Sequence, residues 1–314
     1  MKKIIFNKCG NAEVLTIGTV PTIDINGNNQ AIIKIYYSSL NAIDWKYRQG
    51  YFRFFTKLLK SDLGYDVIGK VVKLSSNVTK FQVGDIVLGL LPTLVGGAHS
   101  EYARLTTDQF IKISSENNLK QLAGLPMAGV TAWIALFEKA KLQKGQKILI
   151  NGGGSGVGHL SIQLAKSCGA EVTSVSSQKN EDFCKEMGAD FTINYQNQDV
   201  LSLNKKFDVI FDIVSNLSIK QVKPLLNENG VYVATNISLS LLKGMLFNPK
   251  TVKFVYVHPH TKALVNLYTL TKQGKLNVHV DKVFKIDDII AAHQYMEQSR
   301  TVGKVILQIA ADDN

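Results

Sequence analysis

The stretch Lys147-Ile-Leu-Ile-Asn-Gly-Gly-Gly-Ser-Gly-Val-Gly-His159 breaks from a short apolar run into glycines and then resumes at helical spacing. Ile148, Leu149 and Ile150 are too few for a helix and read as a buried parallel strand. Gly152, Gly153, Gly154, Gly156 and Gly158 allow positive φ and leave no Cβ in the way, so the backbone can turn tightly and approach a pyrophosphate. Beyond them Leu160, Leu164 and Cys168 recur every four residues, which places them on one face of a helix. The free N–H groups of that helix, Val157 among the first, and its positive dipole end point at whatever lies over the glycines, where an anion fits. In the frame Gly153-x-Ser155-x-x-Gly158, Ser155 stands where the dinucleotide fingerprint has its second glycine. The turn alone leaves open a strand-to-helix connection with no ligand.

The next segment, Glu171-Val-Thr-Ser-Val-Ser-Ser-Gln-Lys-Asn180, is a second alternating strand. About 20 residues past the glycines, a dinucleotide fold that prefers NAD places an Asp or Glu on the ribose hydroxyls. Here the strand ends in Ser176, Ser177 and Lys179, and no acid comes before Glu181. Hydroxyls and an ammonium suit a 2′-phosphate, which an Asp would repel, so the expected cofactor is NADPH. A solvated loop that merely contains Ser and Lys is the alternative.

The 314 residues are enough for two domains, each with its own core, and 45% hydrophobic against 19% charged residues describes an ordered chain. The sequence holds no apolar run of about 18 residues, the length a membrane-spanning helix needs. Met1-Lys-Lys-Ile-Ile-Phe6 enters a strand-like segment without the features of a signal peptide, so the expected location is the cytoplasm. Cys9, Cys168 and Cys184 are far apart and form no Cys-x-x-Cys pair, against a disulfide framework or structural zinc. A net charge of +11 raises the local concentration of anionic ligands. The lysines are scattered, with modest clusters at Lys57 to Lys60 and Lys139 to Lys147, and lack the aromatic interleaving of a nucleic-acid surface.

To about residue 115 the signals are β: Ala31 to Tyr37, Val67 to Leu74, Asp85 to Leu90 and Glu101 to Leu105, separated by turn clusters. A compact barrel or sandwich is expected. Asn117 to Phe137 reads as helix interrupted near Pro126. Strands and helices then alternate, with strands at 148 to 150, 171 to 176, 191 to 194, 207 to 213, 231 to 235 and 253 to 257, which argues for a doubly wound parallel sheet. Ligands of such sheets lie at the carboxyl ends of the strands, so Ile213-Val214-Ser215 and Thr235-Asn236 should border a cofactor. Toward the C-terminus come a helix near Thr261 to Lys272, another begun by Asp287 as N-cap, and a closing strand in Gly303 to Ile309. That tail should rejoin the N-terminal domain, giving 1–117 with 258–314 as one domain and 118–257 as the other.

The order of these motifs resembles the medium-chain dehydrogenase/reductase superfamily, and within it the zinc-independent quinone oxidoreductases and NADPH-dependent alkenal/enone reductases. The matching stretches are Asn41 to Gly50, Gly64-Tyr-Asp-Val-Ile-Gly-Lys-Val71, Phe81 to Val87, Leu125 to Trp133, the glycine turn, Gly188 to Tyr195, Phe207-Asp-Val-Ile-Phe-Asp212 and Gly303-Lys-Val305. The resemblance implies an α/β chain with a GroES-like β-barrel catalytic domain and a Rossmann domain, and a homodimer, joined through the 253 to 257 strand. The positions that hold catalytic zinc in the alcohol dehydrogenase branch correspond to Asn41, Tyr65 and Met127, none a usual zinc ligand.

Without a metal to polarise an oxygen, the resemblance implies hydride delivery to a quinone or to the β-carbon of an enal or enone. It places Asn41 and Thr131 beside the nicotinamide, Gly153, Gly154, Ser155, Gly156, Val157 and Gly158 at the diphosphate, and Tyr195 against the adenosine phosphate. Val214 and Thr235 border the cofactor. Tyr47 and Tyr51 are candidate donors to the developing oxyanion, with aromatic packing as the other reading of Tyr51-Phe-Arg-Phe-Phe55. Arg48 and Asp44 are expected to pair and hold that loop. The substrate pocket is expected from 47 to 55, the loop 90 to 98 and the loop 237 to 252. His258 and His260 flank Pro259 without a third ligand nearby and read as a hinge loop; His99 and His159 have no role visible in sequence. A carbonyl or alcohol oxidoreductase on the same fold, or a non-catalytic NADPH- or RNA-binding protein, remains as an alternative.

Overall fold

A computed structural model describes residues 1–51, 62–114, 118–298 and 300–312. The chain divides into two compact units: Met1–Met127, His258–Tyr268 and Val280–Asn314 form the first, Ala128–Val257 and Thr269–His279 the second. The division falls ten residues later than position 117, and residues 269–279, beyond position 258, belong to the second unit.

The first unit is built on strands. β1 (Lys2–Ile5) pairs with β2 (Thr16–Thr19). β3 (Gln30–Leu40) is the long axis of the main sheet, flanked by β4 (Asp66–Leu74) on one edge. On its other edge lie β6 (Tyr102–Thr106) and the C-terminal β15 (Lys304–Gln308), end to end. β5 (Ile86–Leu90) and β7 (Phe110–Lys112) extend the sheet beyond β4, and β14 (Val280–Lys285) extends it beyond β15. The closing strand therefore pairs with β3, in the first unit.

Residues Ala31, Ile33 and Ile35 alternate along β3 and pack with Val67, Val71, Val87 and Leu105 in one core. Register shifts opposite Ile32/Ile33 and Ile35/Tyr37 mark bulges that bend β3 against β4. A second core joins Leu40, Leu63, Ile286, Ile289, Val305 and Leu307 under helices α1 (Ala42–Gln49) and α9 (Ile289–Glu297). Fully burying each such Leu, Ile or Val contributes roughly 1.5–3 kcal/mol.

In the second unit β8 (Lys147–Asn151), β9 (Glu171–Ser176), β10 (Phe191–Asn194), β11 (Phe207–Asp212), β12 (Leu226–Ala234) and β13 (Val252–Phe254) are all parallel, in the order β10-β9-β8-β11-β12-β13. This is the doubly wound order, with the chain reversing direction between β8 and β11. The central strands are continuous apolar runs, and Ile148, Leu149, Ile150, Ile210 and Phe211 are fully buried, as strands covered on both faces require. Helix α4 (Gly156–Ser167) turns Leu160, Ile162 and Leu164 inward. Cys168 is its C-cap, and Gly169 at φ 82 ends it.

Several sequence expectations are corrected. The helix expected over Asn117 to Phe137 is α2 (Leu119–Leu122), then α3 (Pro126–Trp133), then a π-helical stretch Ile134–Lys139. The interruption expected near Pro126 is the break at 123–125, and Pro126 starts α3, where the first helical position needs no N–H. Helix α9 begins at Ile289, because Ile286–Asp288 forms a 3-10 turn that moves the cap from Asp287 to Asp288. The strand expected at 253 to 257 is Val252–Phe254. Among the described residues no helix is long and apolar enough to cross a membrane.

Candidate active site

The glycine turn lies at the carboxyl end of β8, beside the point where the strand order reverses. Of its glycines only Gly152 has positive φ, 98°. Gly158 and Gly153 are needed for lack of a side chain: a Cβ on Gly158 would stand 2.1 Å from the carbonyl oxygen of Gly152, and one on Gly153 1.9 Å from Ser174 Oγ. Ser155 is the N-cap of α4. Its hydroxyl accepts from the amide of Gly158 at 3.0 Å and donates to the Gly152 carbonyl at 2.7 Å. Ser155 thus closes the turn on itself while occupying one first-turn donor. The amides of Gly156 and Val157 have no hydrogen-bond partner among the described residues.

His159 is fully buried one turn into α4. Its Nδ1 is 3.0 Å from the Ser155 carbonyl, and its Nε2 is 3.2 Å from the amide of His279. Nδ1 is therefore the protonated donor, Nε2 the acceptor, and the ring ties residue 279 to the mouth of the turn.

The ends of β9 and β10 gather the proposed 2′-phosphate residues. Ser176 and Asn194 are register partners, and the amide of Tyr195 donates to the Ser176 carbonyl at 3.1 Å. Ser177 starts the short turn Gln178–Asn180 that carries the exposed Lys179. Asn180 reaches back to the glycines, since a Cβ on Gly154 would meet its Nδ2 at 2.4 Å. Tyr195 is 61% exposed.

On the other side of the reversal point the buried carboxylate of Asp212 organises the loop after β11. It accepts from Asn151 Nδ2 at 2.7 Å, from the amides of Ser215 and Leu217, and from the Tyr232 hydroxyl at 2.9 Å. Burial, with Asp212 beside it, pushes the Tyr232 phenol well above its usual range, so it stays a donor. Ser215 is held at φ 59 and its hydroxyl accepts from the amides of Thr235 and Asn236. Val214 leans over Gly152, and Thr235 Oγ1 donates to the Ile213 carbonyl at 2.8 Å. Asp212 and Asn151 sit within stretches quoted from the sequence, yet only the fold reveals them as a pair. Thr131 is nearly buried on α3.

In the first unit Asn41 is the N-cap of α1 and 8% exposed. Its Nδ2 donates to Asp66 Oδ2 at 2.7 Å, and Lys304 Nζ donates to its Oδ1 at 2.7 Å. Lys304 also lies 3.8 Å from Asp66, which accepts from the Met127 amide and from the Ser39 hydroxyl. Burial pulls the Lys304 ammonium below its ordinary value, while Asp66 and then Asp44 hold it up. Asp66 and Lys304 stand inside sequence motifs whose distance apart in the chain hid their pairing.

Tyr47 packs its ring edge-on against Phe6 at 6.1 Å, within the core under α1. Tyr51 is 68% exposed, edge-on to Trp45. Residues 52–55 and Lys57 to Lys60 lie outside the described residues. Arg48 and Asp44 do not pair. Arg48 bridges to Glu297 and the Gly10 carbonyl, and Asp44 accepts from the amides of Asn41 and Gly64 at 2.8 Å. Glu297 of α9 takes the Arg48 guanidinium, while backbone amides occupy the Asp44 carboxylate. The 237 to 252 stretch is mostly helix, α7 (Leu239–Phe247), not a loop. His260 Nδ1 caps the helix Thr261–Lys272 by accepting from Ala263 at 3.1 Å.

Residues 27–115 match the alcohol dehydrogenase GroES-like domain, and residues 187–307 match zinc-binding dehydrogenase. The chain is 32% identical over 318 residues to 2-methylene-furan-3-one reductase of Solanum lycopersicum, covering 98% of this chain and 79% of that protein. The chain belongs to the medium-chain dehydrogenase/reductase superfamily, in its quinone and enone reductase branch. A second member, the chloroplastic NADPH-dependent alkenal/one oxidoreductase of Arabidopsis thaliana, is 30% identical over the same shares of both chains. The solved quinone oxidoreductase from Coxiella burnetii superposes with a TM-score of 0.90 at 30% identity, covering 99% of each chain. The Arabidopsis relative carries a nicotinamide dinucleotide, NADPH, in its name. The turn fits one: unpartnered first-turn amides face the end of β8, and the glycines leave no side chain between them and a diphosphate.

Proposed function

We propose that this chain is an NADPH-dependent reductase of quinones or of the C=C bond of α,β-unsaturated carbonyls, acting without zinc. The observation that carries the reading is the free amides of Gly156 and Val157 at the head of α4, at the reversal point of a doubly wound sheet. Gly153 to Gly158 would hold the diphosphate, Ser176, Ser177 and Lys179 the 2′-phosphate, and Tyr195 the adenosine end, with Val214 and Thr235 bordering the group. The absence of any carboxylate among Ser176, Ser177 and Lys179 supports NADPH over NADH. When bound, the nicotinamide supplies a hydride.

The donor set supports the zinc-free reading. Asn41, Tyr65 and Met127 offer an amide, a phenol and a thioether, and among the described residues no three His, Cys, Asp or Glu side chains gather where they could hold a metal. The Asn41 oxygen is already engaged by the Lys304 ammonium, whose charge would repel a divalent cation. With no metal to polarise a carbonyl, hydrogen-bond donors must carry the developing oxyanion. Tyr51 is the exposed candidate and Tyr47 the packed one.

Product analysis by NMR after incubation of the purified chain with NADPH and an enone tests this reading. A saturated ketone is expected. An unsaturated alcohol would move a carbonyl oxidoreductase to the front, and no product with any quinone or enone would favour a non-catalytic nucleotide-binding role.

A further inference from the structure

The peptide joining Ser155 to Gly156 carries on its nitrogen one of the two free amides at the head of α4. Its carbonyl oxygen takes two hydrogen bonds from one residue, the His159 amide at 3.0 Å and His159 Nδ1 at 3.0 Å. No described peptide is cis, and in a planar trans peptide the C=O and N–H point in opposite directions. Drawing the Ser155 carbonyl into the helix therefore aims the Gly156 N–H out of it, toward the place where a diphosphate would lie.

That aim has to be imposed. Gly154 and Gly156 stand on either side of Ser155, and glycine turns over a wide range of φ and ψ, so sterics alone do not fix this peptide. The first turn of a helix also lacks the preceding carbonyls that would hold its amides. The fully buried His159 ring supplies the missing hold, and is itself held. Its Nε2 accepts from the His279 amide at 3.2 Å, a group that can only donate, which keeps the proton on Nδ1. Phe183 of α5 (Glu181–Glu186) packs beside both rings, 6.1 Å from that of His159 and 4.8 Å from that of His279. One turn further along α4, Gln163 donates to the Asn277 carbonyl at 2.9 Å and accepts from its amide at 2.7 Å, so residues 277–279 stay against the helix. The donors thus run in one line, from the His279 N–H through the imidazole and the Ser155 carbonyl to the Gly156 N–H. Each hydrogen bond in such a row polarises the next, and the last donor is strengthened toward an anion.

We infer that His159 is a positioning residue for the diphosphate of a bound nucleotide, acting through the Ser155–Gly156 peptide without touching the ligand. This rests on the nucleotide-binding reading of the glycine turn and adds the side chain that sets its donor.

Fluorescence titration of the purified full chain with NADPH tests it, together with competition by adenosine 2′-monophosphate, which has the 2′-phosphate but no diphosphate. In His159→Asn the side-chain amide stands as many bonds from Cα as Nδ1 does and can still donate to Ser155. In His159→Gln it reaches the place of Nε2 and can accept from His279, but leaves the Ser155 carbonyl with its backbone bond alone. The Asn variant should bind NADPH within about twofold of the parent, and His159→Gln and His159→Phe about tenfold more weakly, the scale of one hydrogen bond to a charged group. Adenosine 2′-monophosphate should bind all four proteins alike. Circular dichroism melting curves check folding, and the Asn and Gln variants carry the comparison should His159→Phe not fold. Unchanged NADPH affinity in the Gln variant, an Asn variant as weak as the Gln variant, or an equal loss of adenosine 2′-monophosphate would overturn the positioning role and leave the nucleotide site standing. A parent that binds no NADPH would overturn both.

Discussion

The ammonium of Lys304 lies 2.7 Å from Oδ1 of Asn41, and both side chains are buried. With Nδ2 of the same amide 2.7 Å from Asp66, the Asn41 side chain is gripped at both ends and its orientation is set by an ion pair. A cation held by the chain itself thus occupies the oxygen of Asn41, one of the residues that the sequence resemblance sets at a zinc-ligand position.

Removing that cation should be costly. Lys304→Met leaves the Asp66 carboxylate buried with neutral donors only, and unfolding in urea should show a loss of about 3–5 kcal/mol. The Lys304→Met, Asp66→Asn double variant should lose less than the two single losses added together, since each partner's main cost is the charge it strands. Additive losses would show that the two groups are not coupled.

His293 sets an acid limit on stability. It is fully buried, with neither ring nitrogen hydrogen-bonded among the described residues. Burial, with His99 and Arg48 facing it, holds its pKa well below the ordinary value. A depressed folded value means that the unfolded chain takes up the proton first. Stability is therefore complete above the unfolded pKa of about 6.5 and is lost as pH falls below it toward the folded value, at up to about 1.4 kcal/mol per pH unit. Asp44, pushed up by burial, has the opposite sign and takes its proton more readily in the fold. Urea midpoints between neutral and mildly acid pH should fall less steeply for His293→Leu than for the parent, and equal slopes would exclude His293 as the source.

The cap of α4 should show in a pair of substitutions. Ser155→Ala removes the acceptor for the Gly158 amide and should cost about 1 kcal/mol, whereas Ser155→Gly should cost only a few tenths. Thermal melts of the two variants measure the difference, and equal effects would mean that the hydroxyl does not cap.

The glycines separate by what a methyl group would hit. Gly158→Ala drives a Cβ into backbone, so nucleotide fluorescence titration should show NADPH affinity reduced at least about tenfold as the turn opens. Gly154→Ala meets the Asn180 side chain, 2.4 Å from Nδ2 and 3.0 Å from Cβ, and no backbone atom, so it should lose less. The reverse order would place the diphosphate elsewhere.

The sequence carried much of this fold because the deciding signals are local. Three apolar residues running into glycines defined β8 and its turn, and the spacing of later apolar runs defined a parallel sheet. Ser155 was visible as a departure from the glycine pattern, but its reason, a hydroxyl capping Gly158, needs the angle between turn and helix. Asp66 with Lys304 is separated by most of the chain, and no periodicity reports contacts made through β3. Asp44 and Arg48 looked like a pair because they are one helical turn apart, yet α9 supplies Glu297 closer to the guanidinium. The helix α7 was read as loop, since apolar residues facing water give no amphipathic signal.

The choice of nucleotide should rest on Lys179. Its exchange for Glu places a carboxylate beside Ser176 and Ser177, and the KM for NADPH should rise by about tenfold or more while that for NADH changes little. An equal change for both would remove the 2′-phosphate from this position.

The most direct measurement is the near-ultraviolet absorbance of reduced nicotinamide when the purified chain is mixed with NADPH, or with NADH, and a panel of quinones, enals and enones. NADPH should be consumed with at least one of these acceptors, and NADH far more slowly. Absorbance that persists with every acceptor, or NADH consumed faster than NADPH, would contradict a phosphate-reading nucleotide site above Gly153 to Gly158.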